Sequence, residues 1–119
     1  MKYRCITNNP LIIEHYNGNV EPFEGTPLEL FFAVKAEIMA GYKLVTHPLT
    51  GSIGSYINPY KSVILDVRKG PLDEESLQLI DKAIVYTKNL LPDYLNCVWD
   101  ENSRRDFQYL DFDFVKAFI

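Results

Sequence analysis

The run Ser62-Val63-Ile64-Leu65-Asp66-Val67 constrains the fold more than any other part of the chain. It is apolar, β-branched and of strand length, with no polar alternation to mark a wet face. Such a run belongs to a central strand covered on both sides. Gly70-Pro71 turns the chain after it. Asp73 then caps a long helix in which Leu77, Ile80, Ala83, Ile84, Thr87 and Leu91 recur at intervals of three and four, and Pro92 is expected to end it.

Upstream, Met1 to Thr7 reads as a strand stopped by Asn8-Asn9-Pro10, because the residue before a proline is held extended and Asn suits turns. Pro10 can open a short helix carrying Leu11, Ile12, Ile13 and Tyr16, closed by Asn17-Gly18. Asn19 to Glu24 reads as a short second strand. The best signalled helix follows. Thr26 caps it, Pro27 takes its first position, Glu29 completes a capping box, and Gly41 stops it. Tyr42 to Thr46 reads as a strand, and Leu49 to Tyr60 as a long irregular loop of the kind that often carries function. Asp93 to Arg105 reads as an irregular connection. Phe107 to Ile119 reads as a short strand followed by a helix capped by Asp111.

At 119 residues this is one expected domain, 1–119, large enough for a single core without metals or disulfides. Strands alternating with helices predict an α/β fold: a small three-layer sandwich with a mostly parallel sheet of roughly four or five strands and helices on both faces. In such a sheet the loops after the first and third strands leave the same carboxyl edge, where open α/β folds bind their ligands.

Composition narrows the function. Net charge is −4 and the twelve basic residues are scattered, which argues against a nucleic-acid binder. Cys5 and Cys97 lie far apart, so a buried reduced thiol at Cys5 is expected in place of a disulfide framework. The beginning of the sequence has no apolar run long enough for a signal peptide, and no stretch is long enough for a membrane span. A cytoplasmic protein without membrane contact is the expectation. Two separated histidines and no HExxH or CxxC give no recognisable metal set, and Gly51-Ser52-Ile53-Gly54 is neither GxGxxG nor a P-loop. No cofactor is expected.

Chemistry, if present, concentrates at the polar ends of two apolar strands, Thr7-Asn8-Asn9-Pro10 and Thr46-His47-Pro48-Leu49-Thr50-Gly51-Ser52. If those strands are parallel neighbours, Thr7, Asn8, Asn9, His47, Thr50, Gly51 and Ser52 converge into a candidate ligand-binding loop pair, with backbone N–H groups able to hold a carboxylate or phosphate. Lys61 could add a cation. His47 is the candidate acid or base, although no nucleophile stands at suggestive spacing from it. The plainer account is that Asn and Thr close turns and that His47 hydrogen-bonds its own loop. Arg104, Arg105, Asp106, Gln108 and Asp111 form a second polar cluster, read as a salt-bridged hinge to the C-terminal piece, with binding as the alternative.

The segments Ile6-Thr7-Asn8-Asn9-Pro10, Thr46-His47-Pro48-Leu49-Thr50-Gly51-Ser52-Ile53 and Asn58-Pro59-Tyr60-Lys61-Ser62, with Asp106-Phe107-Gln108 near the end, resemble the GrdX family. These are short proteins associated with the gene clusters for glycine reductase in anaerobic amino-acid-fermenting bacteria. Gly54 to Ile57 is less polar than the resemblance leads one to expect. The resemblance implies a cytoplasmic accessory protein of reductive amino-acid metabolism and transfers no catalytic residue. Three readings follow: an accessory protein binding a small anionic metabolite or a glycine-reductase-type protein at the strand-end surface; a small enzyme using His47 in the same cleft; or a homodimerising module that buries Phe107, Tyr109, Phe112, Phe114 and Phe118 in a partner.

Overall fold

The computed structural model of the chain describes residues 2–16, 18–49, 58–96 and 99–119. Its centre is a three-stranded sheet of β1 (Tyr3–Thr7), β2 (Val20–Pro22) and β3 (Ser62–Asp66), in the order β2-β1-β3. The expectation of four or five mostly parallel strands is overturned. β1 pairs with β2 in parallel but with β3 antiparallel, placing Thr7 opposite Ser62 and Cys5 opposite Ile64.

Two features account for the difference. Residues 42–46 make only an isolated antiparallel bridge, Leu44 to Leu65, and at their end the Thr46 hydroxyl, not a backbone carbonyl, accepts the Ile64 N–H at 3.2 Å. Pairing of this segment with β3 is antiparallel, as is that of β1 with β3, so among the described residues only the β1–β2 pair is parallel.

Helices cover both faces. Ile6, Val63 and Leu65 point to one side, where α2 (Pro27–Met39) and α3 (Glu74–Asn96) bury Leu30, Phe31, Val34, Ile38, Ile80, Ala83 and Ile84 against them. Cys5 and Ile64 point to the other, against Ile12 of α1 (Pro10–His15) and Val115 of α4 (Glu101–Val115). Val63 to Leu65 of β3 are therefore all apolar, because successive residues face different cores.

The local signals of the first two helices hold. The Asn9 side chain caps α1 and Pro10 opens it. Thr26 and Glu29 form a reciprocal capping box on α2, and Gly41 lies just beyond its end with φ +112°. Asp73 caps α3 through its carboxylate and the Ser76 N–H at 3.0 Å. α3 then runs through Pro92 to Asn96, since a proline removes one backbone donor without obliging a helix to stop. The largest local correction is at the C-terminus. No strand lies there; α4 is capped by Asp100, whose carboxylate accepts the Ser103 N–H at 2.7 Å, and a 3-10 turn, Lys116–Phe118, follows it. Asp111 is not a cap but an interior residue of α4 facing the sheet. The inward positions are Phe107, Gln108, Asp111, Phe112 and Val115, which is helical spacing running unbroken through the expected strand and cap.

Candidate functional site

Antiparallel pairing of β1 with β3 brings the end of β1 against the start of β3, on the face covered by α4. There Thr7 and Ser62 lie side by side with their hydroxyl oxygens 2.7 Å apart. The Thr7 hydroxyl accepts the Asn9 N–H at 2.9 Å, and Ser62 donates to Asp111 of α4 at 2.5 Å. With Asp111 ionised, the bonds run in one direction, from the Asn9 amide through Thr7 and Ser62 to the carboxylate. The Asn9 side chain donates to the same carboxylate at 3.0 Å and to the Gln108 carbonyl at 2.9 Å, while its oxygen caps α1.

The remaining asparagines complete the assembly. Asn8 donates to the carbonyls of Gly25 and Pro59, both at 3.0 Å, and accepts the Lys61 N–H at 2.7 Å. Asn58 donates to the Phe107 carbonyl and accepts the Tyr60 N–H, both at 2.9 Å. The polar residues at this edge thus tie β1, β3, α1 and α4 together.

Lys61 and Asp111 are 0 % and 2 % exposed. Burial pushes the Asp111 carboxyl above its ordinary range, opposed by the bonds from Ser62 and Asn9 and by the nearby Lys61 charge. Burial lowers the Lys61 amine to about 8, opposed by Asp111. A folded state that holds its lysine less readily protonated binds fewer protons than the unfolded chain between about 8 and 10.5. Stability carried by Lys61 is therefore expected to rise with pH across that window. The Asp111 contribution has the opposite slope, falling as pH rises from 3.8 through the raised native value. Urea titrations of wild type and Lys61→Met across pH 7 to 11 check the first; an alkaline rise that survives in Lys61→Met would refute it.

His47 is exposed, and its Nδ1 accepts the Leu49 N–H at 3.1 Å. Because 43–46 runs antiparallel to β3, it runs in the direction of β1, and Thr46 and Thr7 leave the same edge of the sheet. β3 stands between them, so they are separated by two strand spacings, about 10 Å. Thr50, Gly51 and Ser52 lie outside the described residues. The aromatic C-terminus turns mostly inward: Phe107 packs on Trp99, Phe112 on Tyr16 and Phe118 on Tyr3, leaving Tyr109 and Phe114 at the surface.

A cleft of about 430 Å³ opens directly outside the Asn9–Gln108 contact. It is lined by Pro10, Leu11 and Glu14 of α1, by Glu101, Arg104, Arg105 and Gln108 of α4, and by Tyr60. Its volume lies in the range of small-molecule sites. Glu101, Arg104, Arg105 and Gln108 fall at i, i+3, i+4 and i+7 of α4 and so share one face. Arg105 is held loosely by Glu101 at 3.4 Å, whereas the Arg104 guanidinium has no hydrogen bond or ion pair among the described residues. A second cleft, of about 450 Å³ near Gly41, holds Arg68 and Lys43, paired with Asp66 and Asp73, and Lys69, which has no hydrogen bond or ion pair among the described residues.

The family model described as GrdX-like protein matches residues 4–119. The chain belongs to the GrdX-like family. The family's name carries an association with glycine reductase clusters. Comparison with curated proteins and with solved structures gave no match. In this GrdX-like chain two of the segments that carried the resemblance, Thr7-Asn8-Asn9-Pro10 and Asn58-Pro59-Tyr60-Lys61-Ser62, build the β1–β3 edge; of the segment from Thr46 to Ile53, residues 50–53 lie outside the described residues. Among the described residues no helix is long and apolar enough to cross a membrane.

Sequence reading missed the part played by Asp111, assigned as a cap, and by Asn58, absent from the candidate list. It also read Arg104 as part of a hinge. The helical spacing of Glu101, Arg104, Arg105 and Gln108 is the signal that would have found the cleft face, once the C-terminal segment was assigned as one helix.

Proposed function

We propose that this GrdX-like chain is a cytoplasmic accessory protein of glycine-reductase-type amino-acid metabolism that binds a small anionic metabolite at the carboxyl end of β1. The family association supports the metabolic setting. One observation carries the binding reading: Arg104, with no side-chain partner among the described residues, lines a cleft of about 430 Å³. A planar guanidinium is suited to a carboxylate or phosphate, which it can hold through two parallel bonds. Thr7, Asn8 and Asn9 enter this reading as the frame beneath the cleft, because their side-chain hydrogen bonds go to neighbouring elements of the fold.

Titration calorimetry with inorganic phosphate and with acetate tests it. Wild type is expected to bind at least one of the two, and Arg104→Ala to weaken that binding at least about tenfold, the loss of one hydrogen bond to a charged group. Absence of binding in wild type, or unchanged binding in Arg104→Ala, would overturn the reading.

A further inference from the structure

The cleft carries acid as well as base. Of its four charged side chains, Glu101 and Arg105 approach each other on α4 at 3.4 Å and offset one another. The other two, Arg104 on α4 and Glu14 on α1, have no partner among the described residues. They line the same cleft from different helices, yet their charged ends are more than 4.0 Å apart, beyond ion-pair distance. A site built for a simple anion gains nothing from a carboxylate in its lining, which repels it. A cation and an anion in one cleft, on helices that Asn9 ties together, match a ligand that carries both signs.

We infer that the cleft takes a free α-amino acid as its zwitterion, with the carboxylate on Arg104 and the ammonium on Glu14. The inference rests on the anion-binding reading above and adds Glu14 as the residue that selects among carboxylates. Leu11, half-buried between Pro10 and Glu14 on α1, offers apolar surface for a small side chain. Gln108 and Tyr60 add neutral hydrogen-bonding groups that favour neither charge.

Matched pairs that differ only by the ammonium group test it: L-alanine against propionate, and L-leucine against 4-methylpentanoate, by titration calorimetry. Wild type is expected to bind the amino acid of at least one pair about twofold to fivefold more tightly than its carboxylate, the scale of one solvent-screened ion pair. Glu14→Gln should abolish the preference, weakening the amino acid and, by removing a like charge, binding the carboxylate as tightly as before or more tightly, whereas Arg104→Ala should weaken both. Equal binding within both pairs in wild type overturns the zwitterion inference and leaves the anion reading standing. A preference that survives Glu14→Gln overturns the assignment of Glu14. If neither pair binds, the inference fails, and inorganic phosphate then decides whether the anion reading fails with it.

Discussion

Asp111→Ala is expected to destabilise the protein by about 3–5 kcal/mol, the cost of removing one member of a buried, hydrogen-bonded charge cluster. The carboxylate is 2 % exposed and accepts bonds from Ser62 and Asn9. Truncation strips both donors of their acceptor and removes the negative charge near the buried Lys61 ammonium. A chain of this size should lose about 10 °C or more in thermal midpoint. Asp111→Asn keeps the shape and one acceptor oxygen, so a smaller loss of about 1–2 kcal/mol is expected. Urea denaturation of both variants checks the pair. An Asp111→Ala variant within 1 kcal/mol of wild type would show that the α4 seam does not depend on this network.

Gly41→Ala is the second large effect, expected at about 3 kcal/mol or more. Gly41 has φ +112°, a backbone conformation that side-chain-bearing residues rarely adopt, which alone costs on the order of 1–3 kcal/mol. A β-carbon there would lie 2.2 Å from the Gly70 carbonyl oxygen, so backbone must move. The same two residues are joined by the Gly70 N–H to Gly41 carbonyl bond at 2.9 Å, which that movement would break. Gly70 supplies the internal comparison. A β-carbon on it meets nothing within 4 Å, and its φ lies outside the left-handed region, so Gly70→Ala should stay within about 0.5 kcal/mol of wild type. Comparable losses in the two variants would place the constraint in the loop's flexibility and not in the Gly41 contact.

What could be read from the sequence divides along physical lines. Elements specified by neighbours in the chain were legible. Thr26, Pro27 and Glu29 start α2 because each satisfies or dispenses with an orphan N–H of the first turn, and Asn9-Pro10 does the same for α1. β3 was legible because a strand buried on both faces needs apolar side chains on both. α4 was not, since its cap is a single Asp and its inward face mixes aromatic rings with Gln108 and Asp111. Those polar residues are explained only by acceptors and donors on other elements: Asn9 and Ser62 are remote from Asp111 in sequence and bonded to it in space.

The candidate site followed the same division. Thr7-Asn8-Asn9-Pro10 was recognisable as the polar end of a strand, because a proline and two turn-forming asparagines punctuate an apolar run. Its partner was not, because strand direction depends on how loops close and cores pack. The sequence pointed to Thr46-His47; the fold placed Asn58–Ser62 and Asp111 there, with β3 between Thr7 and Thr46. Short-range capping, turn chemistry and periodicity determined where helices and strands begin. Only the tertiary structure decided which polar groups meet, since a buried donor is satisfied by whichever acceptor packing brings within about 3 Å, however far away it is in the chain.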